Sequence, residues 1–197
     1  MALDFCPQGR ALLRASEASD RPQVIVDAGA YVGYSSIALS LMFPKARVLA
    51  VEPHAANYAA LCRNVAAFPN IEPIHAALWH RAAVGVVEDG AATWAIRVAE
   101  ESGRRKVPAI TMDDLLALAL GADLLAVKLV IEGSERYLFS NGADWLARPR
   151  LVVWMPTDWR LPQWGAGRAT IRALAPHAFD YVIRDECLFC FRDPENT

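Results

Sequence analysis

The 197-residue sequence contains no apolar run near the ~18 residues that a membrane-spanning helix needs, although 54% of its residues are hydrophobic. Pro7, Gln8 and Arg10 interrupt residues 1–14, so this segment does not have the apolar centre of a secretion signal. We therefore expect a cytoplasmic protein that does not act at a membrane.

An excess of positive charge is also missing. The chain has 20 basic and 22 acidic residues, which gives a net charge of −2. Proteins that bind nucleic acid through its phosphates carry clustered positive charge. The sequence therefore predicts no nucleic-acid partner.

Groups that could bind a transition metal are scarce. Of the four cysteines, only Cys187 and Cys190 have a ligand-like spacing, and they lie in an apolar run typical of a strand. Residues three apart on a strand face opposite sides. No second Cys or His pair accompanies them, so we predict no metal site.

Strands and helices alternate along the chain. The predicted strands cover residues 23–28, 46–52, 71–78, 124–131 and 151–155, and the predicted helices cover 34–43, 54–67, 115–120, 135–146 and 166–175. Residues 179–184 and 187–192 predict an antiparallel hairpin around Asp185-Glu186. Alternation of this kind indicates an α/β fold, a mostly parallel sheet with helices on both faces.

The whole chain, residues 1–197, is predicted to form one domain. Residues 1–22 form an N-terminal helical extension in this scheme. Residues 79–112 form a β-rich insert of short strands, with Asp113-Asp114 capping the helix that follows.

The most informative segment is residues 24–33, Val-Ile-Val-Asp-Ala-Gly-Ala-Tyr-Val-Gly. Gly29 and Gly33 allow the backbone to pass close to a ligand. A second apolar strand ends at Glu52, where a carboxylate can accept hydrogen bonds from both hydroxyls of a ribose. The layout predicts a nucleoside site at the carboxyl ends of the strands.

Tyr31 bears on which nucleoside binds. A dinucleotide site places a second glycine there so that the pyrophosphate can approach the helix N-terminus. A tyrosine obstructs that approach, whereas an uncharged thioether nucleoside needs no phosphate site. The sequence thus favours S-adenosylmethionine over NAD.

The chain resembles the FkbM-type class I methyltransferases. The matching segments, in the family's order, lie at residues 26–35, 51–64, 76–78, 107–115 and 128–135. The resemblance implies a Rossmann-like, seven-stranded methyltransferase sheet. It also implies methyl transfer from S-adenosylmethionine to an oxygen of a small sugar-like or natural-product hydroxyl acceptor.

The resemblance also implies the site residues. Those expected to contact the cofactor are Asp27, Gly29, Tyr31, Gly33, Ser35, Glu52, Pro53, Asn57, Ala76 and Ala77. Those expected to act in catalysis are Lys128, Glu132, Glu135 and Asp158, with Asp158 or Glu132 assisting the acceptor.

Three positions depart from the family pattern. Val130 stands where the family usually has an Asp, and Met155 and Thr157 stand where it often has a Glu and a His. An acceptor hydroxyl must lose a proton, which usually calls for a positioned base. The alternative function is therefore a catalytically weak or inactive relative that serves as a binding or interaction module.

Lys128 interrupts an apolar strand, which is costly unless its charge is paired. It either forms a structural ion pair, for which Glu132, Glu135 and Asp158 are the candidate partners, or it orients the substrate. The three tryptophans at 154, 159 and 164 either pack in the core or a homodimer contact, or form a stacking wall for an acceptor.

Overall fold

A computed structural model describes residues 3–81, 86–89, 97–99, 106–139 and 143–192. In chain order its elements are α1 (Pro7–Glu17), β1 (Gln23–Ala28), α2 (Tyr34–Met42), β2 (Ala46–Val51), α3 (Ala55–Asn64), β3 (Ile71–Ile74), β4 (Ala77–Leu78), β5 (Val86–Asp89), β6 (Arg97–Ala99), β7 (Lys106–Val107), β8 (Ala109–Ile110), α4 (Met112–Leu118), β9 (Asp123–Leu129), α5 (Glu135–Leu138), a 3-10 helix (Asp144–Ala147), β10 (Leu151–Trp154), α6 (Ala166–Leu174), β11 (Phe179–Arg184) and β12 (Cys187–Arg192). No helix in these ranges is both long and apolar enough to cross a bilayer.

The main sheet has seven strands in the order β11-β12-β10-β9-β1-β2-β3. Strands β3, β2, β1, β9 and β10 run parallel, and β12 and β11 pair antiparallel at one edge. This confirms the predicted fold class, including the hairpin at Asp185-Glu186. The chain moves outward from β1 to β3 and then returns to β9, so strand order reverses between β1 and β9. Ligands of such sheets bind at the carboxyl end of this switch point.

Side chains alternate between the two faces of a strand, and helices cover both faces of this sheet. The central strands are therefore buried on both faces. All six residues of β1 are buried. Val26 packs in the apolar layer on one face of the sheet, while its neighbour Ile25 packs in the layer on the other face. Leu49 and Val48 divide between the same two layers on β2. The predicted helices cover these faces and thereby fix the sheet that carries the site.

Two predicted boundaries were wrong. The strand predicted over 71–78 is divided: β3 ends at Ile74 opposite Val51, the last residue of β2, and β4 pairs with β8 in a separate sheet. Strand β2 ends at Val51, so residues after Ile74 have no neighbouring strand to pair with in the described part of the main sheet. The short helix predicted at 115–120 begins earlier because Thr111, not Asp113, is its N-cap. The Thr111 Oγ accepts from the Asp114 N–H, and the Asp114 carboxylate accepts from the Thr111 N–H.

The helix predicted over 135–146 is also shorter than expected. Helix α5 has four residues, the 3-10 helix occupies Asp144–Ala147, and residues 140–142 lie outside the described ranges. The sequence Asn141-Gly142 is a turn signal that periodicity alone overlooks.

The predicted N-terminal helix corresponds to α1, which begins at a proline. Within the predicted β-rich insert, β5, β6 and β7 form a three-stranded antiparallel sheet. Of the strands predicted from 84 to 98, residues 84–85 and 93–96 lie outside the described ranges. The division of the chain into these parts stays a prediction.

The turn after β1 passes very close to the end of β9. Gly29 has a φ of +75°, and a Cβ built there would lie 1.9 Å from the carbonyl oxygen of Val130. Gly121 has a similar φ of +81°, but nothing lies within 4 Å of its Cβ position. Gly29 is therefore required both for its backbone conformation and for the space that a side chain would fill.

Replacing each glycine by alanine should separate these two effects. Gly121→Ala should lower the free energy of unfolding by about 1–2 kcal/mol, the cost of a left-handed backbone. Gly29→Ala should lower the free energy of unfolding by a further ~1–3 kcal/mol, because the new Cβ would displace the carbonyl oxygen of Val130. Urea unfolding measures both values, and equal losses would contradict the close approach at Gly29.

Candidate functional site

A buried ion pair joins the two strands at the switch point. Asp27 on β1 lies in register with Lys128 on β9, and the Lys128 Nζ is 2.8 Å from the Asp27 Oδ1. Asp27 is 0% exposed. Its second oxygen, Oδ2, accepts 2.7 Å hydrogen bonds from the hydroxyls of Ser35 and Ser36 at the start of α2. The carboxylate is therefore satisfied entirely by protein groups.

Lys128 makes a second contact that shapes the turn. Its Nζ donates to the carbonyl oxygen of Gly29 at 3.1 Å. The partners expected for Lys128, namely Glu132, Glu135 and Asp158, were wrong. The reason is register: in paired strands, opposite residues are neighbours, whereas acids after the strand belong to the following turn and loop.

Glu52 follows β2 and closes the other side of the turn. Its Oε2 accepts from the Tyr31 N–H at 2.8 Å, and its Oε1 accepts from the His54 N–H at 3.0 Å and the Asn57 amide at 3.3 Å. Glu52 is buried, and this burial raises the pKa of its carboxyl, while the hydrogen bonds from His54, Tyr31 and Asn57 oppose the shift. The end of β2 thus fixes the backbone of the turn after β1.

A cleft of about 410 Å³ opens at these strand ends. It brings together seven of the predicted site residues: Gly29, Tyr31, Glu52, Pro53, Asn57, Ala77 and Glu132. Ser35 and Lys128 line a second cavity of about 450 Å³, which shares Val130 with the cleft.

Five predicted residues line neither cavity: Asp27, Gly33, Ala76, Glu135 and Asp158. Ala76 packs in the core, and Gly33 begins α2, where a Cβ would lie 2.9 Å from the Leu61 side chain. The Asp158 carboxylate accepts from the Gly167 N–H at 2.9 Å, in the first turn of α6. The structure therefore uses Asp158 to cap a helix and does not bring it to the cleft.

Several lining residues were missed from the sequence. Arg160 lines the cleft, and its Nη1 lies 3.0 Å from the Glu132 Oε2. Ser134 and Glu186 line the cleft as well, and so does Trp159, one of the three tryptophans that the sequence raised as a stacking wall. The position of Arg160 just after a parallel strand could have indicated it, since the carboxyl ends of such strands meet at one edge.

Glu135 is a buried acid with an unusual environment. It is 0% exposed, and neither carboxylate oxygen has a hydrogen-bond partner in the part of the chain that the structure describes. Burial raises the pKa of this carboxyl to about 7; the charge of Glu132 adds to the shift and neighbouring backbone amides oppose it. Glu135 therefore carries a proton over much of the acid range. Among the described ranges, no group of three His, Cys, Asp or Glu side chains could hold a metal ion.

Removing Lys128 should destabilise the fold strongly. Lys128→Met leaves the buried Asp27 charge uncompensated, which should cost about 3–5 kcal/mol of unfolding free energy. The matched control is Arg21→Met, because Arg21 forms a 2.9 Å pair with Asp123 that is exposed on both sides. That change should cost about 0–1 kcal/mol. Chemical denaturation at neutral pH compares the two, and similar losses would contradict a structural role for the buried pair.

Glu135 should make stability depend on pH. Its folded pKa of about 7 lies above the ordinary 4.5, so the folded protein loses stability as pH rises from about 4.5 to about 7. Glutamine does not titrate in this range. The free energy of unfolding of Glu135→Gln, relative to the wild type, should therefore rise by up to about 3 kcal/mol from pH 5 to pH 8. Unfolding free energies at both pH values test this, with the exposed Glu17→Gln as the control. A gain that is the same at both pH values would refute the expectation.

Residues 27–172 match the family model described as the methyltransferase FkbM domain. No curated protein matches the sequence. Among solved structures, a precorrin-6y C5,15-methyltransferase from Geobacter metallireducens GS-15 is 12% identical, with a TM-score of 0.48 over 95% of this chain and 88% of its own.

Two other solved structures show a similar level of likeness. An rRNA methylase from Streptococcus thermophilus is 11% identical, with a TM-score of 0.48 over 96% of both chains. TYW2 from M. jannaschii, solved in complex with AdoMet, is 13% identical, with a TM-score of 0.39 over 94% of this chain and 74% of its own.

The family match covers well over half of the 197 residues. It confirms the resemblance seen in the sequence, and with it the methyltransferase class and S-adenosylmethionine as the cofactor. The chain therefore belongs to the FkbM methyltransferase family.

Proposed function

We propose that this protein methylates a hydroxyl oxygen of a small molecule bound beside the cleft at the strand ends. The observation that carries the proposal is Glu52, a buried acid that lines the cleft beside the close-packed Gly29 turn. Gly29 follows β1 at the switch point of the sheet and Glu52 follows the neighbouring strand β2, and the cleft that both line would take a nucleoside cofactor.

The residues of the cleft suit S-adenosylmethionine. A carboxylate offers about four acceptor sites, and protein donors use three of those on Glu52, which leaves capacity for a ribose hydroxyl. The cavity of about 410 Å³ falls in the range usual for ligand sites, ~300–1,000 Å³. Gly29 and Tyr31 would border the rest of the cofactor through the turn backbone.

When bound, S-adenosylmethionine would supply a sulfonium methyl group for the acceptor oxygen; its sulfur would keep the electron pair of the C–S bond, and the acceptor hydroxyl would give up its proton. Lys128 and Asp27 hold the turn that orients the ligand. Glu132 lines the cleft, and Arg160 fixes the direction of its carboxylate. Of the four predicted catalytic residues, Glu132 lines the cleft, and in this proposal it would receive the acceptor proton.

A binding module without turnover is the second candidate function. Val130 and Met155 line the cleft with apolar side chains where the family pattern has acids. Asp158 is occupied at α6. These features remove groups that could act as a base, and they leave the cofactor site intact.

Glu52→Gln tests the proposed cofactor site. Hydrogen bonds to a charged group contribute ~1.5–3 kcal/mol, so the dissociation constant for S-adenosylmethionine should rise about 10–100-fold. Isothermal titration calorimetry measures it, with NAD as the competing ligand class. Glu72→Gln is the control, because Glu72 on β3 is half-exposed, pairs with Arg47 and lies outside the cleft lining.

Transfer of a radioactive methyl group to a panel of hydroxyl acceptors then separates the two functions. Turnover by the wild type supports the enzyme. If S-adenosylmethionine binds but neither the wild type nor the variant with Val130→Asp and Met155→Glu turns over, the binding module is correct. Unchanged affinity in Glu52→Gln would instead refute the cofactor site.

A further inference from the structure

An apolar groove of about 540 Å³ lies next to the cofactor cleft. Its apolar lining, which defines the groove here, consists of Trp154, Pro156, Trp159, Ile171, Ile183 and Leu188. The groove and the cleft share Trp159 and Glu186. A molecule in the groove would therefore lie beside the cofactor site, so this inference rests on the proposed function.

Three large apolar side chains that line the groove are exposed to solvent. Trp159 is 72% exposed, Ile183 is 78% exposed and Ile171 is 48% exposed. Single exposed apolar side chains are common, but several that line one concavity beside a reaction site mark a binding surface. The two isoleucines come from α6 and β11, which both contribute to the lining of the groove.

The charges at the groove limit what it can hold. Asp185 and Glu186, at the tip of the hairpin, are its charged lining residues, and no Lys or Arg of the described chain lines it. A phosphorylated or otherwise anionic acceptor would meet repulsion there. A free sugar would find few hydrogen-bond partners on walls that are almost wholly apolar.

The chemistry of the cleft agrees with an aromatic acceptor. The base expected from the family pattern is missing at Val130 and Met155, which line the cleft. A phenolic hydroxyl, with a pKa of about 10, gives up its proton more readily than an aliphatic hydroxyl. Its ring would also stack on the exposed indole of Trp159.

We propose that the apolar groove binds the ring system of an uncharged aromatic alcohol, and that a phenolic hydroxyl of this class is the methyl acceptor. Trp159 forms the wall common to acceptor and cofactor. Ile183 contacts the part of the acceptor that lies away from the reacting oxygen.

Binding of 2-naphthol, compared with methyl glucoside, tests the proposal without any turnover. Calorimetry on the wild type should detect 2-naphthol and show methyl glucoside at least about tenfold weaker. Ile183→Ser and Trp159→Ser should each weaken 2-naphthol about tenfold. Leu41→Ser is the matched control, because Leu41 is also a highly exposed apolar residue, on α2, and it lines neither the groove nor the cleft.

Ile183→Ser also separates this inference from the proposed function. Ile183 does not line the cleft, so the affinity for S-adenosylmethionine should stay as in the wild type. In a methyl-transfer assay with 2-naphthol, KM should rise about tenfold with little change in kcat. Failure of S-adenosylmethionine to bind would refute the proposed function, whereas transfer to sugars but not to phenols would refute only the aromatic acceptor.

Two other results would overturn the groove as an acceptor site. In the first, the wild type does not bind 2-naphthol, or its affinity for 2-naphthol equals that of Ile183→Ser. The other is a dimer, seen by analytical ultracentrifugation, that Ile183→Ser converts to a monomer while 2-naphthol affinity is unchanged. In that case a second copy of the chain covers the groove.

Discussion

The buried pair of Asp27 and Lys128 is the interaction on which the site depends. Two opposite charges inside a sheet are stable only when every polar atom has a partner, because each charge has lost its hydration. Here the lysine also holds the Gly29 carbonyl, and the aspartate also holds two serines of α2. The pair therefore fixes three segments at once: the end of β1, the turn after it and the first turn of the next helix.

The turn after β1, once fixed, positions groups that line the cleft. The Tyr31 N–H points to Glu52, so the acid after β2 and the backbone after β1 form one connected wall of the cleft. Val130 and Met155 also line the cleft, as do the charged side chains of Glu132 and Arg160. The cleft thus combines apolar and charged side chains around the backbone of the turn.

Prediction succeeded where a local pattern fixes the outcome. The periodicity of the apolar residues predicts the alternating strands and helices. That alternation predicts the parallel sheet and the hairpin at Asp185-Glu186, which the structure confirms. Prediction failed where a partner strand ended, as at Ile74, and where helix α5 ended earlier than predicted, at Leu138. Gly29 and Glu52 both line the cleft, and their contacts with the cofactor stay a prediction from the turn glycine and the strand-end acid.

The sequence by itself determined the fold class and the family to which the chain belongs, and it predicts the cofactor site at the carboxyl edge of the sheet. Only the tertiary structure decided which charges meet. Lys128 pairs with a residue 101 positions earlier because β1 and β9 are neighbours in register, and Asp158 turns to α6 instead of the cleft. Such choices depend on strand order and on the packing of separate elements, which no local spacing encodes. The apolar groove has the same origin, since its walls come from β10, α6 and the final hairpin, which meet only in the folded protein.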